Sequence, residues 1–263
     1  MNVKKHINMQ ARNTYEQIFP IYSYMVDVNQ YLTLPNLMSF MQEVAWAHSN
    51  NNDVGWHFLQ SKNMFWALVR LYIEIERMPC WNESLRLKTW GRPMELISYP
   101  REFVGFDANN NCILKATSSW VILDKDDFKP QKIDIERTPA ILHDEIVLQK
   151  RISKIPHLEL YEPKNYHSVL FSDIDMNKHV NNTRYLNWIL DEYGFEFLQT
   201  HRIVSCNIHF MSQAQADTSY AIQREEKENL RFISSIFRST PKQELCRVQI
   251  KWKDISSLLH CTK

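Results

Sequence analysis

Asp173-Ile174-Asp175-Met176-Asn177-Lys178-His179-Val180-Asn181-Asn182 sets two carboxylates, a histidine and three carboxamides directly ahead of an aromatic and aliphatic stretch, Tyr185-Leu-Asn-Trp188-Ile-Leu190. The pattern occurs twice. Asp27-Val28-Asn29-Gln30-Tyr31-Leu32 aligns with Asp175 to Val180 at a constant offset, and the register runs on without a gap through Leu37/Tyr185, Met38/Leu186, Phe40/Trp188 and Met41/Ile189. A shared Asp and Asn alone would be weak evidence, but sharing that continues into the following helix indicates a duplicated unit. The chemically telling difference is Tyr31 in the first copy where the second has His179. The C-terminal copy is therefore expected to work and the N-terminal copy to support it.

The duplication decides the architecture. Tyr15 to Val26 reads as a strand and Leu34 to Ala47 as a helix apolar on most faces, ended by Ser49-Asn-Asn-Asn-Asp53. A helix apolar nearly all round requires burial. Runs rich in β-branched and aromatic residues follow at Phe65 to Glu76, Glu83 to Trp90, Ile97 to Asp107 and Cys112 to Leu123, with the alternation of a half-wet sheet in Leu71 to Glu76. The charged stretch from Asp124 to Gln149, with Pro130 and Pro139, reads as a linker. The second half repeats the order: a short strand at Tyr166 to Phe171, a helix from about Thr183 to Leu198, then strands near Arg202 to Met211, Thr218 to Arg224, Leu230 to Arg238 and Glu244 to Lys253. Strand, buried helix and about four long strands are satisfied by one curved antiparallel sheet wrapped around the helix. That is the hot dog fold. The expected class is α+β with two tandem copies, residues 1–140 and 150–263.

Composition excludes several functions. The 263 residues carry a net charge of only +1, which gives no general attraction for nucleic acid or an anionic membrane surface. The longest apolar run, Met64 to Val69, is too short to be inserted across a bilayer, and the polar start has no apolar signal region behind it, so a soluble cytoplasmic protein is expected. Five scattered cysteines without a Cys-x-x-Cys pair fit unpaired thiols in a reducing compartment. Four isolated glycines argue against a phosphate-cradling loop, and no Gly-x-Ser-x-Gly elbow is present. The remaining histidines, His48 and His57 among them, lack metal-ligand spacing, so no metal is expected. Glu74 and Glu76 share one sheet face by alternation and are read as solvated.

The segment Asp175-x-Asn177-x-His179-Val-Asn-Asn182, with Trp66-Ala-Leu-Val-Arg70, Pro79-Cys-Trp81, Thr89-Trp90 and Ala116-Thr-Ser-Ser-Trp120-Val, resembles the acyl-acyl carrier protein thioesterases, over about residues 12–253. The lack of a transit peptide points to a bacterial member. The resemblance implies hydrolysis of a fatty acyl thioester on acyl carrier protein, with the acyl chain lodged mainly in the N-terminal unit and the catalytic groups in the C-terminal one. No cofactor is implied beyond the phosphopantetheine that the substrate carries. By the same resemblance Asp175, Asn177 and His179 occupy the family's catalytic positions. A further glutamate of the family falls on Gln213, and the cysteine that often follows it falls on Ala214. An amide can orient water but cannot take its proton, and Ala214 argues against a cysteine nucleophile.

The residues themselves supply a matching chemistry. His179 titrates near working pH and suits a general base. Asp175 can orient it or activate the water, and Asn177 can donate to the carbonyl or accept from the water. The backbone N–H groups opening the helix from Asn181 to Arg184 are expected to meet the oxyanion. Asn181 and Asn182 count as substrate-binding candidates, although Asn before a helix is more often a cap. Met38, Met41, Trp46 and Trp66 are expected to line the acyl pocket. Lys178, Arg184 and Arg202 are candidates for docking the acidic carrier. An acyl-CoA thioesterase, a non-catalytic acyl-binding hot dog protein and a hot dog dehydratase are the alternatives. Fused units allow a monomer, and a homodimer is equally compatible.

Overall fold

Thr33 starts the first long helix, α1 (Leu34–Asn51), by accepting a hydrogen bond from Asn36 N, and Pro35 fits the first turn because the amide it lacks has no helical partner there. The helix belongs to a computed structural model that describes residues 13–133, 142–148, 152–159, 161–163 and 165–256. Leu34, Leu37, Met38, Phe40, Met41, Val44 and Ala45 are buried, while Glu43 and Trp46 reach solvent. A short strand, β1 (Tyr15–Pro20), precedes α1, and a short helix, α2 (Trp56–Ser61), follows it. Four long strands complete the half: β2 (Met64–Ile75), β3 (Ser84–Gly91), β4 (Tyr99–Phe106) and β5 (Cys112–Asp124). A two-residue strand, β6 (Pro130–Gln131), pairs back onto β5.

The second half contains β7 (His167–Ser168), α3 (Asn182–Asp191), α4 (Phe195–Thr200), β8 (His201–Phe210), β9 (Ser219–Lys227), β10 (Arg231–Arg238) and β11 (Gln243–Asp254). All strands join in one antiparallel sheet ordered β1-β3-β4-β5-β2-β8-β11-β10-β9-β7, with β6 attached to β5. Read from its two edges inward, the order is the same in each half. The halves meet at the β2–β8 seam, from Arg70↔His209 to Glu74↔Ser205. One core spans both halves, with Leu37 and Met38 of α1 in the same cluster as Leu186 and Ile189 of α3. The fold is two tandem hot dog domains.

Some expectations change. The strand expected to Val26 ends at Pro20 and gives way to a 3-10 turn at Ser23–Met25. The helix expected as one piece to Leu198 breaks after Asp191, where Tyr193 turns into the core and Gly194, a poor helix former, caps α4. The described parts of the linker are docked rather than loose. Trp90 Nε1 donates to Glu145 O of the linker (2.9 Å), and just beyond the linker Asn207 Nδ2 donates to Ser153 O (3.0 Å) and Gln223 Nε2 donates to Glu159 O (2.6 Å). These contacts satisfy polar side chains that the outer sheet face would otherwise bury unpaired. Residues 134–141 and 149 of the linker, the polar N-terminal tail and Cys261 lie outside the described residues. Cys80 is disulfide-bonded, which corrects the expectation of five unpaired thiols, whereas Cys112, Cys206 and Cys246 are free. Among the described residues no helix is long and apolar enough to cross a membrane.

Candidate functional site

The two copies of the motif form the same tight turn. Asp27 Oδ1 accepts from Asn29 N (2.8 Å), and Asp175 Oδ1 accepts from Asn177 N (2.7 Å). Asp27 N donates to Tyr31 O, and Asp175 N donates to His179 O, both at 2.8 Å. Gln30 and Lys178 hold matching positive φ angles of 66° and 63°, and single bridges, Val26↔Leu32 and Ile174↔Val180, close the two loops. The shared Asp is therefore first of all a turn-maker. What differs is the side chain that each turn presents.

In the first copy the turn is closed off. Asn29 is buried and donates to Leu198 O (3.4 Å) and Gln199 O (3.3 Å). The Arg202 guanidinium lies 4.5 Å from the Tyr31 ring centroid and 3.9 Å from Asp27 Oδ2. Arg202 also donates to Leu198 O and His201 O. It is thus engaged inside the protein rather than offered to a carrier. Lys178 is exposed, and Arg184 is part-exposed with Nε 3.8 Å from buried Asp173 Oδ1.

In the second copy the turn faces a cavity of 320 Å³. Its walls come mainly from the N-terminal half, including Trp46 of α1, Trp56 of α2, Phe65 and Trp66 of β2, Tyr99 of β4 and Trp120 of β5. Asp175, Met176, Asn177, Asn181 and Asn182 contribute from the C-terminal half. His179 is half-buried and stacks on Phe65, with centroids 6.5 Å apart. Burial lowers its pKa below the ordinary 6.5, and the Asp175 charge opposes that shift. A second, polar cleft of 360 Å³ lies between the first turns of α1 and the start of α3, lined by Thr33, Asn36, Ser39, Arg184 and Asn187 among others. Asp175 and Asn181 belong to both. Another cavity, of 640 Å³, lies elsewhere, on the polar outer face around Tyr72, Glu74 and Lys251.

Trp46 and Trp66 are on the cavity wall, but Met38 and Met41 are not. These methionines are 1% and 3% exposed and pack in the core, on the α1 face turned to the sheet. Asn181 caps α3, accepting from Thr183 N (2.9 Å) and Thr183 Oγ1 (2.9 Å), and its carbonyl accepts from Arg184 N. With Asn181 N donating to Asp173 O, the expected row of free donors reduces to Asn182 N–H among the described residues. Gln213 sits half-buried in the segment after β8, and its side chain makes no hydrogen bond among the described residues. The next residue ties this segment to the motif: Ala214 O accepts from Val180 N (3.0 Å), and Ala214 N donates to the buried Tyr185 hydroxyl (3.0 Å). Tyr185→Phe should leave that amide unpaired and lower stability by about 1–3 kcal/mol. Urea unfolding with an unchanged midpoint would refute this. Cys206 and Cys246 are fully buried, and burial pushes both thiols up, so neither is a nucleophile. No group of His, Cys, Asp and Glu suited to a metal occurs among the described residues.

Phe65, which stacks on His179, Tyr185, which holds Ala214 N, and Arg101, whose Nη1 meets His48 Nδ1 at 3.1 Å, have no site role in the reading of the sequence. The arginine and Glu102 interrupt an otherwise apolar strand, a signal that could have marked them.

Comparison with known proteins adds to the geometry. Residues 12–141 match the acyl-ACP thioesterase N-terminal domain, and residues 157–254 match the acyl-ACP thioesterase C-terminal domain. The chain is 27% identical over 236 residues to oleoyl-acyl carrier protein thioesterase 2, chloroplastic, of Arabidopsis thaliana, covering 80% of this chain and 62% of that protein. It is 25% identical over 218 residues to a palmitoyl-acyl carrier protein thioesterase of Gossypium hirsutum, covering 78% and 53% respectively. The chain thus spans less than two thirds of these relatives' length. In structure it is similar to an acyl-ACP thioesterase from Bacteroides thetaiotaomicron, with a TM-score of 0.84, 24% identity and coverage of 92% of this chain and 98% of that one. The 12:0-ACP thioesterase from Umbellularia californica gives 0.82 at 19% identity, covering 92% and 97%.

Proposed function

The chain belongs to the acyl-ACP thioesterase family, and we propose that it hydrolyses fatty acyl thioesters of acyl carrier protein to free fatty acid and the carrier's thiol. One observation carries this reading: a cavity walled by aromatic side chains and a polar cleft meet at Asp175 and Asn181. An acyl chain fits the first and a pantetheine arm the second, which sets the thioester carbonyl between them. Neutral His179 takes a proton from water as the oxygen attacks that carbonyl. Asn182 N–H and the Asn177 amide donate to the developing oxyanion. The intermediate collapses with cleavage of the C–S bond, and His179 returns the proton to the departing thiolate. Gln213 orients the water, so proton transfer rests on His179 and Asp175. Arg184 lines the polar cleft and Lys178 is exposed on the motif turn, and both favour an acidic carrier. In this reading residues 1–140 hold the acyl chain, residues 150–263 carry the reacting groups, and the reaction takes place in the cytoplasm.

Thiol release from a panel of acyl carrier proteins and matching acyl-CoAs tests the proposal. The intact protein should turn over carrier-linked substrates faster than CoA-linked ones, because a small nucleotide lacks the surface that Lys178 and Arg184 would meet. Faster CoA hydrolysis would make it an acyl-CoA thioesterase. An inert protein that Gln213→Glu awakens would be an acyl-binding relative instead.

A further inference from the structure

The exposure of the cavity's lining residues gives it a direction. Met176 is 75% and Trp46 50% exposed at the motif end, whereas His48 is 4%, Leu59 1% and Tyr99 7% exposed at the other. Along α1 the wall runs from Gln42 to Asn52, a rise of about 15 Å. The motif is the mouth, and the floor lies near the C-terminal end of α1.

That floor is cationic. Arg101 of β4 lines it, donating from Nη1 to His48 Nδ1 (3.1 Å) and Thr89 Oγ1 (3.2 Å), and from Nη2 to Ser49 Oγ (3.1 Å). A guanidinium can only donate, so His48 must accept at Nδ1 and is the tautomer protonated at Nε2. No carboxylate pairs with Arg101 among the described residues, since Glu102 bonds to Arg92 (3.3 Å) and Thr117 (3.2 Å) instead. Burial lowers the Arg101 pKa to about 10, which still leaves it charged at neutral pH. N–H donors remain on the guanidinium after the three bonds. A methylene chain pressed against them would strip their hydration and return no hydrogen bond, which is unfavourable.

We propose that Arg101, held by His48, Ser49 and Thr89, is the floor of the acyl cavity and sets the longest acyl chain accepted. The inference rests on the thioesterase reading of the same cavity. Arg101 acts on specificity, not on the reacting atoms.

The test is kcat/KM for octanoyl, dodecanoyl, palmitoyl and oleoyl carrier protein with the intact protein, Arg101→Lys and Arg101→Met. Arg101→Met should raise the palmitoyl-to-octanoyl ratio by about tenfold or more, the scale on which pockets discriminate methylenes, and Arg101→Lys should leave it near the intact value. Equal ratios in all three proteins would overturn the proposal. Should Arg101→Met fail to fold, the intact protein decides. Placing a hydroxyl on the terminal carbon of its longest good substrate should leave KM unchanged or lower, because the floor can donate to it, whereas a tenfold rise would refute a polar floor. Titrating the matching fatty acids against the fluorescence of Trp46, Trp56, Trp66 and Trp120 reads chain length without turnover. A protein inert toward every thioester whose binding preference still lengthens in Arg101→Met would lose the catalytic reading and keep the floor; one with neither effect would lose both.

Discussion

His179→Ala is expected to lower kcat for acyl carrier protein substrates by about 10²–10⁴, the usual contribution of a positioned general acid or base. KM and the unfolding midpoint should change little, since the imidazole is only half-buried and stacks loosely on Phe65, with centroids 6.5 Å apart. The pH profile gives an independent check. Burial lowers the His179 pKa below 6.5 and only Asp175 opposes it, so the neutral, proton-accepting form persists into mildly acidic solution. Turnover in the intact protein should therefore fall on acidification with an apparent pKa below 6.5, and His179→Ala should lose that limb. A variant retaining most of its activity would remove His179 from the chemistry.

Asp175→Asn is the second large effect. In the proposed reaction the carboxylate has two duties, holding the turn and supporting His179, and this substitution separates them. An asparagine Oδ1 can still accept from Asn177 N and keep the turn, but it neither attracts a proton nor supports an imidazolium. A loss in kcat of about 10²-fold or more is expected at unchanged stability. The acidic limb should also move to lower pH, because the charge that raises the His179 pKa is gone. Asp175→Ala should add about 1 kcal/mol of destabilisation from the unpaired amide at Asn177. Equal activity of Asp175→Asn and the intact protein would reduce Asp175 to a turn-maker, the role its counterpart Asp27 already has.

That comparison shows what was legible in the chain. The repeat could be read because a turn and the first face of a helix demand the same residues in both copies, so Asp27/Asp175 and Leu37/Tyr185 kept their register. The long strands were readable for a similar local reason: alternation and β-branched residues are imposed by a sheet with two unlike faces. Roles that depend on partners distant in sequence were not readable. Arg202 passed for a docking cation because nothing nearby announces Asp27 and Tyr31, more than a hundred positions away. Met38 and Met41 passed for pocket residues because sequence periodicity marks a buried face without saying whether side chains or an empty space fill the other side. Arg101 had a visible signal, a cation inside an apolar strand, but its meaning depends on which helix covers that strand. The break before Gly194 was missed because Tyr193 looks like one more apolar helix position until the core shows where it points.

The seam between β2 and β8 has a consequence for how the protein behaves on dilution. The proposed site draws Phe65 and Trp66 from one half and Asp175 and His179 from the other. Were the halves separate chains, the active fraction would follow a dissociation constant and fall as the protein became scarce. With both halves on one polypeptide, each sees its partner at a fixed effective concentration, and the site is assembled at any abundance of the protein. The same tether lets the two copies differ, so that Tyr31 and Arg202 can close one turn while Asp175 and Asn177 of the other face the cavity.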